Sequence, residues 1–168
     1  MKKVLRLIGI GIVGLFVAGV LAFHVFDGRD YFDYIRAEEA RDREDYAATW
    51  VIMMPLAEKG FALAQLRVGQ MYYDGDGVPQ NTPEALKWLK RSARQGDLRA
   101  MGYLAFIYRV GVGLEQDPVE AYKWLSLALE EDPDDANLIN WHILLRESLA
   151  YHQISESWRR IAAWKAGE

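Results

Sequence analysis

The sequence predicts an all-α protein, a short solenoid of helix-turn-helix repeats behind an N-terminal apolar membrane or signal helix. Two observations predict the solenoid and a third predicts the N-terminal helix. Ala64, Gly75, Gly77, Ala85 and Trp88 recur 36 residues later as Ala100, Gly111, Gly113, Ala121 and Trp124. Helix starts and stops recur at the same offset. A fixed period in this range means hairpin stacked on hairpin, because one hairpin cannot bury its apolar face alone. The third observation is that residues 7–26 contain no Asp, Glu, Lys or Arg.

That apolar run follows Lys2, Lys3 and Arg6. At about 1.5 Å per residue, a helix of this length crosses the roughly 30 Å hydrocarbon layer. Two readings stay open: a retained signal-anchor, or a signal peptide cleaved near Val20-Leu21-Ala22. In both, the basic flank stays in the cytoplasm and the chain after Asp27 lies on the periplasmic side of the inner membrane. Gly9-Ile10-Gly11-Ile12-Val13-Gly14 matches the dinucleotide fingerprint in letters. Its context rejects that reading, since a nucleotide loop must leave a strand and open a helix. Gly14, Ala18 and Ala22 instead form a small-residue stripe on which two anchors could meet.

With 168 residues, 51% hydrophobic and 26% charged, the chain suits one folded unit. Setting aside Lys2, Lys3 and Arg6, 17 basic side chains face 24 acidic ones. Such a surface repels nucleic acid. The lack of cysteine excludes disulfides, thiolate metal sites and cysteine nucleophiles together.

Along the exported part, residues 27–45 read as a charged, solvated linker helix, rich in Asp, Glu and Arg. Residues 46–60 read as a half repeat: Ala47, Trp50, Val51, Met54 and Ala57 fall at helical steps, and Gly60 stops the helix. The first full hairpin occupies about 61–96. Its first helix turns Ala64, Val68, Met71 and Tyr72 inward, and Gly75 and Gly77 end it where positive φ costs little. Asn81 or Thr82 caps the second helix, Pro83 fits its first turn, and Glu84 completes a capping box. The second hairpin, about 97–131, repeats this with Asp117, Pro118 and Glu120. Beyond it the pattern decays: Asn140 falls where Val68 and Leu104 sit, as expected of terminal repeats. Residues 132–168 read as capping helices, 134–151 and 155–166, with Trp141, Trp158 and Trp164 closing the stack.

These residues resemble the Sel1-like repeat family, whose units share A-x-x-x-L-x-x-x-Y-x-x-G-x-G-V, an N-cap, then A-x-x-W and A-x-x-G. The first unit supplies Ala64, Val68, Tyr72, Gly75, Gly77, Val78, Asn81, Ala85, Trp88, Ala93 and Gly96. The second supplies Ala100, Leu104, Tyr108, Gly111, Gly113, Asp117, Ala121 and Trp124. Departures are Val68 for Leu, Leu114 for Val and Leu129 for the second unit's Ala, all changes of packing. The resemblance implies a superhelix of helix pairs similar to tetratricopeptide repeats, acting as an adaptor in bacterial signalling, envelope assembly or host contact. It implies no reaction and no cofactor.

Chemistry finds little footing in the residues themselves. His142 and His152 lack zinc-site spacing. Asp74-Gly75-Asp76-Gly77 fails as a calcium loop, because Tyr72 stands at the first ligand position. No metal site is therefore expected. A binding face is expected on the first helix of each unit, where the core leaves Arg67, Gln70 and Tyr73 free, then Tyr103, Phe106 and Arg109. Aromatics and arginines on one concave surface suit a protein or peptide ligand. The reading that follows is a non-catalytic envelope adaptor; the alternatives are an envelope enzyme acting on cell-wall material and an anchor-driven structural oligomer.

Overall fold

The computed structural model describes residues 28–167, and the apolar segment expected at 1–26 lies outside them. Among the described residues there are eight α-helices and no strand. They are α1 (Gly28–Asp42), α2 (Tyr46–Glu58), α3 (Ala62–Asp74), α4 (Thr82–Ala93), α5 (Leu98–Val110), α6 (Pro118–Glu131), α7 (Ala136–Ser148) and α8 (Tyr151–Ala166). No helix of these residues is long and apolar enough to cross a membrane. From α1 to α7 each helix packs on the next, so the chain builds hairpins and stacks them. The last helix breaks the rule: α8 packs on α6 and makes almost no contact with α7.

The local signals act as their chemistry predicts. Gly75 and Gly111 end α3 and α5 in the left-handed region, at φ 84° and 77°, with their amides donating to the Met71 and Ile107 carbonyls. Asn81 and Asp117 cap α4 and α6, accepting from the amides of Glu84 and Glu120 at 3.1 and 2.9 Å. The capping boxes do not close. The Glu84 carboxylate pairs with Lys87 at 2.5 Å instead, and that of Glu120 with Lys123 and the indole N–H of Trp124. Thr82, the other candidate cap, donates its hydroxyl to the Val112 carbonyl of the next unit at 3.2 Å.

The second glycine of each pair does more than turn the chain. A Cβ at Gly77 would sit 2.8 Å from the Tyr46 carbonyl oxygen, and one at Gly113 would sit 2.2 Å from the Thr82 hydroxyl. Tyr46 and Thr82 are the first residues of α2 and α4. Each loop therefore presses its bare backbone onto the start of the preceding unit's second helix, and only glycine leaves the room. Within a unit, Ser92 of α4 ties back to the start of α3, donating to the Ala62 carbonyl at 2.9 Å.

Small and large apolar residues divide the packing between them. Ala64, Ala85, Ala100 and Ala121 are fully buried, which lets helix backbones approach, and Trp88 and Trp124 fill the space between layers. Trp88 belongs to a first cluster with Met53, Leu56, Ala57, Ala64 and Val68. Trp124 lies in a larger one that runs through Leu104, Ile107 and Leu125 to Leu145 and Ile161.

Both ends differ from expectation. The segment 27–45 forms a helix, but a packed one: Ala37 and Ala40 are buried in α1, which lies on α2. The N-cap of α2 is Asp45, 36 residues before Asn81, so α1 and α2 make a whole hairpin where 46–60 was expected as half of one. Its turn uses Glu44 at φ 60° and no glycine pair. At the other end Tyr151 opens α8, whereas it was expected to close the preceding helix. Of the three tryptophans expected to close the stack, Trp164 does so, meeting Trp124 edge-to-face at 4.7 Å. Trp141 and Trp158 remain nearly half exposed.

Candidate interaction face

The odd-numbered helices α1, α3, α5 and α7 share one side of the stack, and every residue proposed as a contact lies along it. Arg67 on α3 reaches back to Glu38 on α1 through two bonds, Nε to Oε1 at 2.8 Å and Nη2 to Oε2 at 2.7 Å. It also donates to Gln70 at 2.7 Å. Both partners of the ion pair are less than a fifth exposed, so Arg67 and Gln70 already serve as a tie between hairpins. Tyr73 is a core residue at 7% exposure, correcting its placement on the free surface. Tyr72, expected inward, is half-buried edge-on against Trp50 at 5.2 Å.

One unit along, Tyr103 and Phe106 stand beside Tyr73, their ring centroids 5.9 and 6.2 Å from its own. The Tyr103 hydroxyl donates to the Asp74 carboxylate at 3.2 Å. Burial, reinforced by the Asp74 charge, pushes the Tyr103 phenol up to about 12. It stays protonated and donating at neutral pH. Burial also raises the Asp74 carboxyl, although the Tyr103 hydrogen bond opposes this. Tyr103 is 36 residues after Arg67 and Asp74 is 36 after Glu38, so one polar rung recurs at the period of the sequence. The next positions are Val110 and Ile139, where both polar groups are lost.

Where the rungs end, the face opens. Arg109 stands over the indole of Trp141, 5.8 Å from the ring centroid. Together with Ala105, Leu125, Leu144, Leu145 and Ser148 they line a cavity of about 400 Å³ between α5, α6 and α7. Leu144 is 66% and Trp141 45% exposed. The described residues offer Arg109 no carboxylate within ion-pair distance. Its guanidinium and an apolar wall thus meet at one place, with freedom to engage a ligand. The sequence pointed to Arg109 but not to Trp141, Leu144 or Ser148. Their exposure follows from α8 leaving α7 for α6, which no local spacing announces.

The histidines do not converge on this face. The His142 ring stacks on Tyr122 at 4.4 Å and bonds Ser126 at 3.0 Å, and burial lowers its pKa, while His152 is exposed. Among the described residues no three of His, Asp and Glu gather as a metal site would require.

Stacked hairpins with periodic caps and an open side define an α-solenoid, a class that works by offering a surface. The chain carries two Sel1 repeats: the family model of the Sel1 repeat matches residues 62–97 and again 98–133. Those matches coincide with α3–α4 and α5–α6. Among solved structures, c5321, a protective antigen of uropathogenic Escherichia coli with an SLR fold, is similar at TM-score 0.72 and 23% identity. That likeness covers 80% of this chain and 29% of the other. A Sel1 repeat protein from Oxalobacter formigenes is similar at TM-score 0.52 and 28% identity, over 58% of this chain and 40% of that one. The chain thus spans well under half the length of either. No curated protein matches it.

Proposed function

We propose that this chain is an exported, non-catalytic adaptor of the bacterial cell envelope, holding a protein or peptide partner on its odd-helix face. Sel1 repeats typically act as protein-interaction scaffolds, which supports the binding role. The envelope location rests on the basic residues before the apolar run 7–26. That run would tether the protein to the inner membrane, or be removed near Ala22. The observation that carries the reading is the cavity beside Trp141. It pairs an exposed aromatic and an arginine, the residue types enriched at binding hot spots, on helices already ordered before a partner arrives. The rungs on α1, α3 and α5 hold that surface rigid.

Photo-crosslinking in intact cells tests this. A probe replacing Leu144 is expected to capture one protein, and a probe replacing Val51, equally exposed on α2, is not. Changing Arg109→Glu should abolish the Leu144 adduct without altering expression. Equal capture from both positions, or capture at Leu144 of a glycan or lipid alone, would overturn the adaptor reading.

A further inference from the structure

The opposite side of the stack carries a second feature, built on the even-numbered helices. Lys90 and Arg94 of α4, Lys123 and Glu120 of α6, and Arg160 and Trp164 of α8 line a cavity of about 280 Å³. Four of these six side chains are cationic in a chain that is acidic overall. Their compensation is uneven. Arg160 is held by Asp117 at 2.6 Å, Glu120 at 3.2 Å and Glu156 at 3.1 Å. Lys123 is paired with Glu120 and stands over the Trp124 ring, 4.5 Å from its centroid. Lys90 and Arg94 meet only aromatic faces, Tyr108 at 5.7 Å and Trp164 at 4.8 Å, and no carboxylate of the described residues lies within ion-pair distance of either.

Two uncompensated cations therefore border the cavity, and Lys123 stands between them and Arg160 with its side chain more than nine-tenths buried. Its ammonium carries three N–H donors and Glu120 takes one. Burial lowers its pKa; the Glu120 partner opposes this, and the charges of Lys90 and Arg160 act with burial to a lesser degree. An anion would relieve this crowding and satisfy the remaining donors.

We propose that this cavity binds a phosphomonoester. Such a group carries roughly −1.5 to −2 charges at neutral pH, matching Lys90 and Arg94 together, whereas a carboxylate would leave one of them unmatched. Its oxygens would accept from Arg94, Lys90 and the spare Lys123 donors. The organic part has a place to go. Arg94 and Trp164 also wall a neighbouring trough of about 400 Å³, lined by Met101 and Leu127, by Glu130 in its ion pair with Lys165, and by Glu131, whose carboxylate is placed to accept a hydroxyl donor. Met101 of α5 apart, both cavities are lined from outside the odd-numbered helices, and neither uses a residue that lines the cavity beside Trp141, so this site would stand with or without the adaptor role.

Calorimetric titration of the full-length chain in nonionic detergent tests the proposal, with glycerol 3-phosphate and dihexanoyl phosphatidic acid as probes. One-site binding is expected, weakened at least about tenfold in the Lys90→Gln/Arg94→Gln double variant, as loss of charge-assisted bonds requires. That variant should stay folded with a slightly lowered midpoint, because each side chain gives up a cation–π contact and no ion pair. Preference for phosphatidic acid would mark a lipid headgroup as the source, and equal affinity a soluble ester. The proposal is overturned if neither probe binds, or if the double variant binds as wild type does.

Discussion

Gly69 and Gly102 both sit inside helices, yet the structure asks opposite things of them. A Cβ at Gly69 would lie 2.7 Å from Leu89 Cγ and 3.2 Å from the Ala85 carbonyl, while one at Gly102 would meet nothing within 4 Å. Gly102→Ala is expected to raise stability by about 0.5–1 kcal/mol, the ordinary gain in helix propensity. Gly69→Ala is expected to lower it by about 1–3 kcal/mol, because the α3–α4 contact must open. Denaturant midpoints of the two variants read both signs. Tyrosine ionisation gives a second expectation. Burial, aided by nearby carboxylates, raises the phenols of Tyr103 and Tyr108 from 10 to about 12 in the folded chain. Unfolded tyrosines lose their protons first, so the stability these two groups contribute is complete below pH 10 and declines as pH rises toward 12. The denaturation midpoint should fall over that range, and Tyr103→Phe should flatten the fall.

At the scale of the element, hairpins with conspicuous punctuation were legible and the others were not. The four helices α3 to α6 are bounded by glycine pairs, caps and prolines whose roles are local, so their order and pairing follow from spacing alone. The α1–α2 hairpin escaped because its turn rests on Glu44 in a left-handed conformation, which no residue type advertises. Within the candidate face Arg109 is exposed, whereas Tyr103 and Phe106, read as free positions, are half-buried against the core. Tyr73 was not legible as a core residue, since its burial depends on rings arriving from α5. The spreading of α7 from α8 was equally hidden, being a choice between two non-local partners. It has a dynamic consequence: within α7 only Leu145 is buried, against ten buried residues in α6. Amide hydrogen exchange of the free protein should therefore release α7 well before α4 or α6. Partner binding at Trp141 and Leu144 should slow α7 most.

Across the whole molecule a single repeat geometry runs from α1 through α6, and the open face begins where it stops. The same 36-residue step separates the Asp45, Asn81 and Asp117 caps, the Gly77 and Gly113 contacts, and the two polar rungs. Neighbouring units in such a stack contribute interface terms that add along its length. The α1–α3 rung is the most exacting place to look, because α1 carries no repeat signature in sequence. A double-mutant cycle on Glu38→Gln and Arg67→Met, read from unfolding free energies, tests it directly. Stacking of α1 on the repeats predicts a coupling of about 0.5–1.5 kcal/mol, reasonable for a two-bond, largely shielded ion pair. Additivity within about 0.3 kcal/mol would mean that α1 does not share the repeat geometry, and would contradict the account.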